Sequence, residues 1–201
     1  VPYGYPAPIS SSYDDASMNE FLQQAAKVVQ DNDVISVFLR WHPVWPRPSR
    51  RAITNEKIVD HGQTVFVDLT ESIEEWHAQT RNELRYSVRR LGKLDFKVAI
   101  DDWSMLPEFH RVYQATMGRV GANSRYCYCL DYIYGLREAW GECLHLASVV
   151  SPEGEIAAAA LFSECHGILQ YHLSGSDEKY LRLAPTKFLL DRIRYWGKDR
   201  G

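Results

Sequence analysis

Apolar positions along the chain recur with different periods, and each change of period marks an element. Between Ser17 and Gln30, Phe21, Leu22, Ala25, Val28 and Val29 fall at helical spacing. Val34–Trp41 is nearly continuous apolar, which predicts a strand covered on both faces, and Gln63–Leu69 is a second segment of high β-propensity. Between them the prolines at 43, 46 and 48 forbid regular structure, and the Pro-, Gly-, Ser- and Tyr-rich opening segment reads as a structured loop.

Beyond residue 70 the pattern is more regular. Ser72 with Glu75 three positions on forms a capping box, and Trp76, Thr80, Leu84, Val88 and Leu91 make one apolar stripe that Gly92 closes. One long helix is predicted there. A short strand, Phe96–Ile100, follows. Next come a helix from Leu106 to Val120, with Phe109, Tyr113, Met117 and Val120 inward, and a helix from Asp131 to Gly141 that buries Ile133, Leu136 and Trp140. The period then shortens: Leu144–Val150, Ile156–Cys165 and Ile168–Ser174 read as three strands joined by turns at Pro152-Glu-Gly and His166-Gly167. Pro185 opens a last helix reaching Lys198, with Leu189, Ile193 and Trp196 inward. The order is that of an α+β fold whose centre is an antiparallel meander.

Composition changes this picture little. In 201 residues, 45% hydrophobic and 24% charged, the balance is globular. A net charge of -3 and a pI near 6.2 give no global attraction to nucleic acid or anionic membrane, so any anion site must be local. No apolar run approaches the roughly 18 residues of a membrane span, and no leader pattern opens the chain, so a cytoplasmic location is expected. Cys127, Cys129, Cys143 and Cys165 lack the second ligand pair of a zinc site and are expected as buried free thiols. There is no G-x-S-x-G, H-E-x-x-H, Walker A or C-x-x-C sequence, and no metal site is expected.

Charge matters locally. Arg81, Arg85 and Arg89 at i, i+4 and i+8 share one face of the predicted helix, with Arg90 beside it. Such a row either meets phosphates, of a tRNA or a nucleotide-linked substrate, or is a solvated face partly balanced by Glu83. For proton transfer the candidates are His172, Tyr171, Asp177, Glu164 and Tyr180. Tyr171 and His172 point to opposite faces of their strand, so only one can face a cleft.

Particular residues carry a family likeness. Val65-Phe-Val-Asp-Leu-Thr followed by Arg81-Asn-Glu-Leu-Arg-Tyr-Ser-Val-Arg-Arg-Leu-Gly resembles the D-L-S … R-N-x-R-R-x-I-R-K-A region of Fem-type proteins. Phe109-His-Arg-Val-Tyr-Gln-Ala-Thr-Met-Gly-Arg is similar to their F-x-x-L-Y-x-x-T-M-x-R. Tyr171-His-Leu-Ser-Gly-Ser-Asp-Glu-Lys-Tyr, Ala184-Pro-Thr-Lys-Phe-Leu-Leu and the opening Pro2-Tyr-Gly-Tyr also resemble segments of that group.

The resemblance implies a GNAT-like (acyl-CoA N-acyltransferase) fold, with a mostly antiparallel sheet flanked by helices. It implies a piece of a tandem-GNAT protein: residues 1–70 as the tail of a first domain and 71–201 as a second one lacking its last strands. It implies transfer of an acyl or aminoacyl group, from acyl-CoA or aminoacyl-tRNA as co-substrate and with no tightly bound cofactor, to the amine of a small molecule or cell-envelope precursor. The donor would lie on the last meander strand and the following helix start, with Ser174, Arg182, Thr186 and Lys187 as its contacts. His172, Tyr171 and Asp177 would act on protons, while Arg81, Arg85, Arg89, Arg119, Tyr126 and Tyr128 would border the substrates. The glycine-rich R/Q-x-x-G-x-G/A loop of common GNATs is absent, which lowers coenzyme A as the expected donor and raises aminoacyl-tRNA or another carrier. A non-catalytic module for an anionic ligand or partner protein is the alternative.

Overall fold

The computed structural model describes positions 4, 5, 7, 8, 10, 14–44 and 58–201. The chain divides into two compact units, Val1–Phe66 and Val67–Gly201. Pro2, Trp45 and the prolines at 46 and 48 lie outside the described residues.

In the first unit, helix α1 spans Asp15–Asp31, and Asp14 caps it by accepting the Ser17 N–H at 2.9 Å. Met18 and Leu22 are its buried residues, while Phe21 and Val28 are exposed, unlike the predicted inner face. Neither expected strand forms: residues 34–41 and 63–69 are irregular. Their apolar side chains stay in solvent, Ile35 and Val65 almost wholly so. A strand requires a neighbour for its backbone N–H and C=O groups, and no ladder reaches these segments among the described residues.

The second unit contains α2 (Ile73–Gln79), α3 (Asn82–Lys93), β1 (Lys97–Ile100), α4 (Leu106–Arg119), α5 (Leu130–Trp140), β2 (Leu144–Val150), β3 (Ile156–Cys165), β4 (Ile168–Ser176) and α6 (Pro185–Arg200). The long helix expected over residues 72–91 is two helices. Thr80 and Arg81 adopt extended backbone between them, and the Thr80 hydroxyl donates to the Trp76 carbonyl at 2.5 Å. Gly92 lies inside α3 rather than ending it. The Ser72–Glu75 capping box is present, with Ser72 N donating to Glu75 Oε2 at 2.8 Å.

The bend lets α2 dock on α6. Trp76 is buried, donates its indole N–H to the Asp68 carbonyl, and lies 5.3 Å from the Arg194 guanidinium and 5.4 Å from the Lys198 ammonium. Lys198 also donates to the carbonyls of Leu69 (2.9 Å) and Glu71 (2.8 Å).

The sheet has the order β1-β2-β3-β4, with every neighbouring pair antiparallel. Its two faces bury separate cores. On one side Leu91, Phe96, Phe162, Phe188, Leu189 and Ile193 bring in α3 and α6. On the other, Leu106, Phe109, Tyr113, Ile133, Leu161 and Leu173 bring in α4 and α5. The run Ala157–Ala160, helix-prone by composition, is the middle of β3 and fully buried. Its small side chains let helices pack close on both faces. Val120 and Trp140, expected inward, are exposed. The four cysteines are free but exposed, not buried.

Candidate active site

β4 does not alternate evenly. Leu161 pairs with Leu173 and Phe162 with Tyr171, so His172 is the extra residue of a bulge. Tyr171 packs on Phe162, ring centroids 5.4 Å apart, on the face shared with α6. His172 lies 5.9 Å from Trp140 of α5, on the opposite face. Burial holds the His172 pKa below its ordinary value, so the imidazole is neutral near pH 7. Burial pushes the Tyr171 phenol up, partly offset by a hydrogen bond to Ser174, so it stays a proton donor.

Past the bulge, Asp177 N–H donates to Ala157 O at 3.0 Å. By parity Gly175 also faces β3, and Ser174 and Ser176 turn their backbone groups outward. Those of Ser176 are met by α4. Its N–H donates to Thr116 Oγ1 at 3.0 Å, and its carbonyl accepts from Thr116 Oγ1 and Arg119 Nη1, each at 3.3 Å. The Ser176 hydroxyl shares a hydrogen bond with Thr186 Oγ1, 2.9 Å away. Thr116, Arg119, Ser176 and Thr186 thus tie α4, the end of β4 and the start of α6 together.

That junction depends on Gly175. A Cβ there would stand 2.6 Å from Tyr113 N and from Val112 C and O, so α4 rests on the bare strand backbone. The αL residue Ala184 precedes α6 and offers no side-chain cap, and Pro185 takes the first helical position.

Asp177 follows the strand. It pairs with Arg111 at 2.6 Å and caps a 3-10 turn by accepting the Lys179 N–H at 2.9 Å. Desolvation works to raise its pKa, but the Arg111 guanidinium and the Lys179 amide together hold it below the usual carboxylate range. It is therefore a weak base that anchors Arg111.

On the α4 side, Tyr113 donates its hydroxyl to the Tyr126 carbonyl. The Tyr128 carbonyl accepts from Gln114 Nε2 at 2.7 Å. Tyr126 is exposed, and Tyr128 stacks on Tyr132 at 4.4 Å.

Arg119, Thr186 and Asp177 thus come together, and Tyr171 and Ser174 lie beside them on the same strand. Arg182 and Lys187 are exposed near the α6 start. Arg81, Arg85 and Arg89 are elsewhere. α3 packs against α6, across the sheet from Arg119, Tyr126 and Tyr128. They do not form one helical row, because Arg81 precedes the helix and Arg85 turns back to donate to the Thr80 carbonyl at 3.0 Å. Of the other proton-transfer candidates, Tyr180 donates to Glu155, and Glu164 lies against His145 and Arg200. Thr116, Ser176, Gly175 and Arg111 were not singled out from sequence. Their place depends on strand parity and on an inter-element approach that spacing does not encode.

Residues 78–201 match the family described as "Acetyltransferase (GNAT) domain". The chain belongs to this family, a class of acyl-transferring enzymes. Among solved structures, the chain is similar to L-PGS from Bacillus licheniformis, with 19% identity and a TM-score of 0.46. The likeness covers 61% of this chain and 38% of that one. No curated protein matches. Among the described residues, no helix is long and apolar enough to cross a membrane.

Proposed function

We propose that the chain is an N-acyltransferase of the Fem-type group that moves an acyl group from acyl-CoA to an amine. The observation that carries this reading is the junction of Ser176, Thr116, Arg119 and Thr186 at the outer edge of β4. There a donor can lie along the strand, with its phosphates toward the α6 start and its nearby cations Arg182 and Lys187. Aminoacyl-tRNA is the weaker donor reading, because Arg81, Arg85 and Arg89 form no single row. The motif likeness to Fem-type proteins supports an amine from a cell-envelope precursor as acceptor, and residues 1–70 as part of a first domain.

In this reading the amine nitrogen attacks the thioester carbonyl carbon. The neutral His172, on the same face as Tyr126 and Tyr128, takes the proton from that nitrogen. The C–S bond breaks and the thiolate leaves with a proton. His172, then protonated, returns that proton to the departing sulfur, while Tyr171, on the other face of the strand, takes no part in the step. Asp177 fixes Arg111 and the turn before α6.

Thermal unfolding with acetyl-CoA tests the donor site. At a hundred times its Kd the ligand should raise the midpoint by roughly 5–10 °C. Thr186→Val with Arg119→Ala should erase the shift without changing the ligand-free midpoint by a similar amount. No shift with any acyl-CoA would end the donor assignment. His172→Asn should leave the shift and lower turnover.

A further inference from the structure

At the opposite edge of the sheet, β1 has no strand on its outer side among the described residues. Asp101 N–H donates to the Leu146 carbonyl at 2.8 Å, continuing the β1–β2 ladder. Residues of that parity, Lys97 and Ala99, face β2 in the same way. Val98 and Ile100 therefore turn their N–H and C=O groups away from the sheet. Beside this edge runs a groove of about 480 Å³, bounded by Gly92 of α3 and by α6. Its floor is apolar: Phe96, Val98, Ile100 and Phe188. Its charge is positive. Arg192, whose guanidinium stands 5.0 Å from the Phe188 ring centroid, and Lys97 both line it. Neither has an acidic partner among the described residues.

We propose that this edge docks an extended peptide segment as a fifth strand, with apolar side chains over Phe96 and Phe188 and an acidic one against Arg192. The three features select that occupant together. Outward backbone groups require a chain in β conformation, the floor requires alternate apolar side chains, and the unbalanced cations require an acid. A second copy pairing edge to edge would bring two Arg192–Lys97 sets together with no acid between them, so charge excludes self-pairing. The surface lies across the whole sheet from β4, so it stands or falls independently of acyl transfer.

The test uses fluorescence anisotropy with a labelled peptide of alternating valine and threonine closed by glutamates. Val98→Pro is the diagnostic variant. The Val98 N–H points outward, so proline there leaves the β1–β2 ladder whole while removing a donor the added strand needs. Circular dichroism should show an unchanged fold, and peptide affinity should fall roughly tenfold or more. Arg192→Glu should weaken the same peptide about fivefold and recover it when the glutamates are exchanged for lysines. No peptide binding by the native chain overturns the proposal. So does equal binding by Val98→Pro, displacement of the peptide by acetate alone, or a dimer in sedimentation that disappears with Val98→Pro. If Val98→Pro does not fold, the charge exchange at Arg192 decides alone: no recovery overturns strand docking.

Discussion

Replacing Gly175 by alanine probes the contact on which the candidate active site stands. The added methyl would lie 2.6 Å from backbone atoms of both Val112 and Tyr113, closer than real Cβ atoms approach anything. Backbone cannot rotate aside, so α4 must move off β4 by most of an ångström. Overpacking of this kind costs about 1–3 kcal/mol. The same movement lengthens the Thr116–Ser176 and Arg119–Ser176 hydrogen bonds, already at 3.0–3.3 Å, and losing one net bond adds about 1 kcal/mol. A total of about 2–4 kcal/mol should lower the thermal midpoint by roughly 4–16 °C. Scanning by circular dichroism at 222 nm, supported by guanidinium titration, reads the change. Gly197→Ala is the control. Its nearest atom, 2.9 Å away, is the Leu69 Cδ1 methyl, which can swing aside, and alanine favours the interior of α6 by up to about 1 kcal/mol. It should be neutral or stabilising. A Gly175→Ala protein that unfolds within a degree or two of native would refute the argument that α4 rests on bare β4 backbone.

Ser72→Ala removes the capping box of α2 and should cost about 1 kcal/mol in guanidinium unfolding, with a protein of unchanged stability counting against it. Asp177 has a lowered folded pKa, so its stabilisation is present above the unfolded carboxylate pKa and is lost as pH falls through the folded value. Asp177→Asn should therefore flatten the acid limb of a stability–pH curve, and an identical limb would exclude the Arg111 pair as its source. His172 has a depressed folded pKa, so acid favours the unfolded chain, and stability should fall as pH drops below about 6.5. His172→Asn should reduce that fall, read by thermal midpoints between pH 5 and pH 8.

The second unit was legible where one signal decided each element. The stripe Leu106, Phe109, Tyr113 marks α4, and the turns Pro152-Glu-Gly and His166-Gly167 bound β3 and β4. Ala157–Ala160 went to strand because eleven residues between tight turns outweigh alanine's helix propensity. Readings failed where the deciding interaction was distant. Thr80 fits a helical stripe, yet its hydroxyl closes α2, and only docking of Trp76 on α6 shows why the chain bends there. Residues 34–41 and 63–69 have strand composition, but composition supplies no hydrogen-bonding neighbour. In the site, Thr186 and Arg119 were reached through motif likeness. Thr116 and Ser176 lie in the same motif segments but were given no role, because alternation along β4 gives no sign of the bulge at His172 or of which backbone groups turn outward.

The hold of Lys198 on the Leu69 and Glu71 carbonyls also sets an order of events. It joins residues almost the whole length of the unit apart, so forming it before the chain between has folded carries a loop-closure entropy cost. The seven-residue α2 is too short to persist alone in water. Its amides should therefore be among the last in the unit to gain protection from hydrogen exchange during refolding. They should also be the first to lose it whenever α6 loosens, making this short helix a gauge of whether the molecule has finished folding.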